Sequence, residues 1–129
     1  MPVVTKHVAD WLHLADDDLD TVALLIREGG SPRAACFHSQ QAAEKSLKGF
    51  LAFRQKPSRK IHELDKLLEE CLKIDSKFTD LRDDAIFLTQ FYTDTRYVAD
   101  LPDLSQTIAY RALAAAKHVR GFVGERIRT

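Results

Sequence analysis

The sequence predicts an all-α protein, an up-and-down bundle of four to five helices in a single domain over residues 1–129. Apolar residues recur with the three- and four-residue spacing of amphipathic helices, and no segment alternates apolar and polar residues for long enough to form a strand. The 129 residues, 45% of them apolar, fit one domain with one continuous core. No repeat of 20 to 50 residues is present. A second domain is not expected.

The first two helices are predicted on either side of a glycine pair. Apolar residues follow a helical period over residues 8–26, and Gly29-Gly30 then ends the helix. Ser31-Pro32 supplies a capping hydroxyl and a proline at the first helical position, and a second helix follows to about Phe53. Because the connection is short, we expect these helices to form an antiparallel hairpin.

Three further helices are expected in the second half of the chain. A basic, proline-interrupted loop over residues 54–60 precedes a short helix whose leucines lie on one side, at 64–72. Another helix is predicted from 79–80 until it frays near Tyr97. The last helix is capped by Ser105, and its alanine-rich face predicts close packing against its neighbours.

Composition limits the classes of function. The 19 basic and 19 acidic side chains cancel, so no overall field attracts DNA or an anionic membrane, and RNA contact would need a local patch. Without a long apolar run or a signal sequence, the chain is expected in the cytoplasm.

Cys36 and Cys71 lie in apolar helical patterns and are expected to be reduced packing residues. No phosphate-loop, hydrolase or zinc-protease motif is present, so we expect no metal and no cofactor.

Polar side chains crowd the flanks of the second helix. They are His38, Gln40, Gln41, Glu44, Lys45 and Lys48. The residues on one face follow at steps of three, four and three: His38, Gln41, Lys45 and Lys48. Gln40 and Glu44 form a neighbouring pair. One interpretation is a solvated face whose lysines extend into water and whose amides cap neighbouring helices. The other is a polar binding seam.

A second polar set lies near the end of the fourth predicted helix. Tyr92 and Arg96 are one turn apart, and Tyr97 follows them. On one face, a tyrosine can stack on a base while the guanidinium fork binds a phosphate. The alternative is a cation–π contact that fastens a helix end.

Three segments resemble the HEPN family. The run Phe37-x-x-Gln40-Gln41-Ala42-x-Glu44-Lys45-x-Leu47-Lys48 is similar to the second helix of HEPN proteins. His62-x-Leu64 resembles their His-x-Leu, and Tyr92-x-x-x-Arg96-Tyr97 their Tyr-x-x-x-Arg-Tyr. The resemblance covers nearly the whole chain, with Val98 where family members often have proline.

The resemblance implies a homodimeric bundle that works with a minimal nucleotidyltransferase in a two-component, toxin–antitoxin-like system, and that receives a nucleotide. On this hypothesis the polar seam is a nucleotide site lined by Gln41, Lys45, Tyr92 and Arg96, with His38, Glu44, Lys48 and Tyr97 as weaker candidates. Lys45 and Arg96 would contact phosphate, and Tyr92 would stack on the base.

Two other functions are alternatives to the nucleotide-binding partner module. HEPN toxins are similar in an Arg-x4-6-His signature that cleaves RNA without metal at the dimer interface, and two stretches here fit that spacing, Arg33 to His38 and Arg111 to His118. These residues are candidates for catalysis in an endoribonuclease toxin, or are solvated polar side chains. The last alternative is a structural dimerisation bundle without a ligand.

Overall fold

The regular structure of the chain is helical. The computed structural model describes residues 2–92 and 104–127, and no strand lies within these ranges. Its elements are α1 (Lys6–Arg27), α2 (Pro32–Phe53), α3 (Leu64–Ile74), a 3₁₀ segment (Ser76–Leu81), α4 (Arg82–Thr89) and α5 (Gln106–Ile127). This confirms the all-α bundle.

The turn between α1 and α2 has the expected chemistry. Gly29 adopts a φ of 67°, a left-handed conformation that side chains other than glycine rarely adopt. The Ser31 hydroxyl accepts a hydrogen bond from the Ala34 amide at 3.1 Å, and Pro32 occupies the first helical position. The glycine pair and the serine-proline pair therefore end one helix and begin the next.

Helices α1 and α2 are antiparallel and closely packed. Leu12, near the start of α1, lies against Gly49, near the end of α2, whereas Asp18 reaches back to His38. A Cβ added at Gly49 would come within 3.0 Å of the Leu12 Cδ2 atom, so the missing side chain allows the close approach.

Helix α2 is the centre of the bundle and contacts the four other helices that the structure describes. Helix α5 runs antiparallel to α1, since Gln106 donates a hydrogen bond to the Gly30 carbonyl and Arg120 pairs with Asp16. Four alanines of α5 are buried, as expected from its sequence: Ala109, Ala112, Ala115 and Ala116. Most of α2 is therefore surrounded by protein, and polar side chains on it need partners there.

The fourth helix is shorter than the sequence pattern suggests. It ends at Thr89, not near Tyr97, because the amides of Phe91 and Tyr92 bond to carbonyls only three residues back. It also begins later than expected, after the 3₁₀ segment. The stretch from 93 to 103 lies outside the described residues.

The two cysteines are unpaired and buried, which confirms their packing role. Burial raises the pKa of the Cys36 thiol to about 11 and raises that of Cys71 further. In the described ranges, no helix combines the length and apolar character needed to cross a membrane.

Candidate functional site

Three polar side chains on one side of α2 are buried in the bundle. Gln40, Glu44 and Lys48 follow one another at four-residue intervals and are 0%, 5% and 2% exposed, respectively. Burying a carboxylate and an ammonium group is costly unless each is paired and hydrogen-bonded. The partners of these groups therefore define the site.

Glu44 is the centre of this buried cluster. Its Oε2 atom lies 3.1 Å from the Lys48 ammonium and 3.1 Å from His62 Nδ1, and its Oε1 atom accepts a 3.5 Å contact from the Gln40 amide. Lys48 also donates to the backbone carbonyl of Arg59 at 3.3 Å. The ion pair thus ties α2 to the segment that leads into α3.

The cluster reaches the surface at two aromatic rings. The His62 side chain is 49% exposed, and its ring is parallel to that of Tyr92, with an interplanar angle of 5° and 6.4 Å between centroids. Tyr92 itself is 40% exposed. At the other end, Gln41 donates to the Gln40 side-chain oxygen at 2.7 Å. A continuous polar network therefore links Gln41 to an exposed aromatic pair.

Lys45 and His38 belong to a separate cluster around Asp18 of α1. The Asp18 carboxylate lies 2.6 Å from Lys45 Nζ through one oxygen and 2.9 Å from His38 Nδ1 through the other. Asp18 is only 8% exposed. The ammonium of Lys45 is thus already paired with a carboxylate.

Comparisons with known proteins assign the family. The family model described as HEPN domain matches residues 8–127. The chain belongs to the HEPN domain family. Among solved structures it is similar to ST0689, an archaeal HEPN homologue, with 28% identity and a TM-score of 0.78, and to TT1696 from Thermus thermophilus, with 29% identity and a TM-score of 0.79. Each comparison covers 94% of this chain and 98% of the other. No curated protein matches it significantly.

The site residues expected of this HEPN domain fall into two groups. In the first group, Glu44 and Lys48 are connected to Tyr92 through His62, and Gln41 is connected to them through Gln40. In the second group, Lys45 and His38 pair with Asp18. Arg96 and Tyr97 lie outside the described residues. A solvated face is wrong for Lys48, which is 2% exposed and pairs with Glu44 of the same helix and with the Arg59 carbonyl of the following loop.

The aspartates at 16–18 form an acidic run on α1, which would usually be a solvated face, but Asp18 is buried. Its position offered a signal, since it lies three residues after Ala15 and four before Val22, both buried on the apolar stripe of α1. An acid on such a stripe needs a partner from another helix. In the sequence His62 stands out only as part of the His-x-Leu motif, although its side chain joins the buried network to the surface.

The two arginine–histidine pairs have different surroundings. On α5, the Arg111 guanidinium lies 3.9 Å from the centroid of the Phe87 ring, and His118 Nδ1 lies 2.5 Å from a carboxylate oxygen of Asp84. Both side chains therefore face α4, one at each end of a single turn of that helix. On α2, His38 is held by Asp18, as described above. Among the described residues, no group of three or more histidine, cysteine and acidic side chains is placed to hold a metal ion.

Proposed function

We propose that this HEPN domain is the nucleotide-binding, partner-binding half of a cytoplasmic two-component, toxin–antitoxin-like system whose other half is a minimal nucleotidyltransferase. The observation that supports it is the network that runs from Gln41 through the buried Glu44–Lys48 pair to the exposed His62 and Tyr92 rings. The partner is inferred from the HEPN motifs.

The network suits a nucleotide because it presents aromatic rings where it meets solvent. His62 is oriented by Glu44, and the Tyr92 ring lies parallel to it, so flat aromatic surface is available for a base. The half-buried Gln41 amide, fixed at one end by Gln40, offers hydrogen-bonding atoms for a base edge.

Phosphate binding is assigned mainly to Arg96 in this proposal. Lys45 lies 2.6 Å from the Asp18 carboxylate, so a phosphate would compete with that carboxylate for the ammonium. Arg96 contributes a permanent charge and a fork of donors that matches phosphate oxygens.

Isothermal titration with ATP and GTP tests the nucleotide site. Because aromatic stacking on a base contributes roughly 1–3 kcal/mol, Tyr92→Ala is expected to weaken binding by about 5- to 150-fold. The matched control is Tyr110→Ala, which removes an exposed tyrosine from α5 and leaves binding unchanged. Equal affinities for wild type and Tyr92→Ala would remove this surface from the proposal.

Co-expression tests the partnership. The nucleotidyltransferase encoded next to this gene is expected to co-purify with the HEPN domain, and sedimentation of the HEPN domain alone is expected to give a homodimer. Failure to recover a partner, or the absence of such a neighbouring gene, would contradict this part of the proposal. The nucleotide titration tests the binding site independently of this result.

A second candidate is a metal-independent endoribonuclease, and the Asp84–His118 contact favours it. A carboxylate that fixes one ring nitrogen leaves the other oriented to exchange a proton with a ribose 2′-hydroxyl, while Arg111, on the same side of α5, would stabilise charge on the phosphate. RNA cleavage in the presence of EDTA is expected to be abolished by His118→Ala and retained by His13→Ala, which removes an exposed histidine from α1. Cleavage that survives His118→Ala excludes this mechanism.

A further inference from the structure

A cavity of about 580 Å³ lies where the start of α1 meets the end of α2 and the loop that follows it. It is lined by His7, Trp11, Ala52, Gln55, Lys56, Pro57, Ser58 and Arg59. Its volume is within the range of pockets that enclose small molecules. Gln41, Lys45, His62 and Tyr92, the described residues that are assigned above to a nucleotide, do not line it, so it is a separate feature of the fold.

The lining combines positive charge with flat apolar surface. Lys56 and Arg59 are exposed cationic side chains, and none of the described residues that line the cavity is acidic. Trp11, the single tryptophan of the chain, is half-buried and supplies an aromatic wall, beside Pro57 and Ala52. An anion is favoured by this charge, and a planar group by the indole ring.

The walls are fixed by contacts made behind the cavity. The Lys48 ammonium lies 5.4 Å from the centroid of the Trp11 ring and donates to the Arg59 carbonyl, so one buried group holds both walls. Trp11 also donates a hydrogen bond from its indole nitrogen to His7 at 3.3 Å. The aromatic ring and the loop are therefore positioned before any ligand arrives.

The loop wall begins with a left-handed residue at the end of α2. Gln55 has a φ of 60°, a left-handed conformation that is unfavourable for a residue with a side chain, and its amide bonds to the Ala52 carbonyl at 2.9 Å. The next amide, of Lys56, bonds to the Leu51 carbonyl at 2.8 Å. These two bonds are those of a Schellman motif, a common end of an α-helix, and the turn brings the chain directly into the cavity wall.

We infer that this cavity binds a small molecule in which a flat ring is joined to a phosphate or a carboxylate. The ring packs against Trp11, and the anionic group binds Lys56 and Arg59. A nucleoside monophosphate and an aromatic carboxylic acid both have this chemistry.

Tryptophan fluorescence tests the inference directly, because the only tryptophan lines the cavity. The full chain is titrated with AMP, phenylacetate, adenosine and inorganic phosphate, with selective excitation of the indole ring. Either AMP or phenylacetate is expected to change the emission saturably and to bind at least about tenfold more tightly than adenosine and phosphate, since a charged hydrogen bond and a stacked ring each strengthen binding by about tenfold. The preferred compound distinguishes the two sources of the ligand.

Variants locate the binding. Arg59→Ala and Lys56→Ala are each expected to weaken the fluorescence-detected affinity about tenfold, since each removes a charged hydrogen-bond donor. Lys60→Ala removes the same charge from the same loop outside the cavity and leaves the affinity unchanged. Tyr92→Ala also leaves it unchanged, which separates this site from the nucleotide site proposed above.

Three results would overturn the inference: no saturable change with AMP or phenylacetate, phosphate alone binding as tightly as either, or Lys60→Ala weakening binding as much as Arg59→Ala.

Discussion

Removing one member of the buried Glu44–Lys48 pair is expected to destabilise the bundle strongly, whereas removing both is not. The two groups lie 3.1 Å apart and are almost fully buried. Glu44→Leu leaves the buried Lys48 ammonium without a carboxylate, beside the Arg59 carbonyl and the rings of His62 and Trp11, and loss of one partner from a buried pair costs about 3–5 kcal/mol.

The reverse change, Lys48→Met, is expected to cost less, towards about 3 kcal/mol. Glu44 then keeps its contacts with Gln40 and His62, so its charge is still partly compensated. In the double variant no charge is left buried, and replacement of a buried pair by apolar side chains of similar size is often neutral. The double variant is therefore expected to be close to wild type in stability.

Urea and thermal unfolding followed by circular dichroism measure the free energy of unfolding and the Tm of wild type, the two single variants and the double variant. At roughly 4 °C per kcal/mol for a domain of this size, Glu44→Leu would lower Tm by about 12–20 °C. The control cycle uses Glu70 and Lys73, which are 2.6 Å apart but exposed, and no measurable coupling is expected there. Equal coupling in both cycles, or a double variant less stable than either single one, would refute the reasoning.

Three other predictions concern the bundle. Gly29→Ala is expected to lower the free energy of unfolding by about 1 kcal/mol because of its left-handed backbone, whereas Gly121→Ala, in an open position on α5, is expected to raise it by about 0.5–1 kcal/mol; urea unfolding measures both. At pH 8, Cys36 and Cys71 are expected to react with a thiol reagent only as fast as the fold opens, and a rapid reaction without denaturant would contradict their burial. Asp18→Asn is expected to cost about 2 kcal/mol by weakening two charged contacts, and unchanged stability would show that they contribute nothing.

The helices could be predicted from sequence wherever local signals set their ends. The turn after α1 carries a glycine that needs its left-handed φ, and α2 begins with a serine cap and a proline, so both boundaries follow from backbone chemistry. The end of α4 could not be predicted in this way. Phe91 continues the apolar period and is buried, but a turn buries it as well as a helix would.

The candidate site was predicted less completely because its contacts come from distant parts of the chain. Lysine is normally exposed, and only the fold shows that Lys48 is enclosed by Trp11 and the Arg59 carbonyl. The cavity depends on a left-handed residue at Gln55, and glutamine gives no sequence signal for that conformation. Its lining residues are ordinary in sequence and become a site only through the loop.

Two aspartates of α1 fix that helix in rotation as well as in position. Asp16 binds Arg120 of α5, and Asp18 binds Lys45 of α2, so two carboxylates two residues apart hold two different neighbours. One residue inserted between Trp11 and Asp16 would turn these carboxylates by about 100° relative to the start of the helix. The first half of α1 is therefore expected to tolerate substitutions far better than insertions or deletions, which would break the match between Trp11 and both carboxylates in one step.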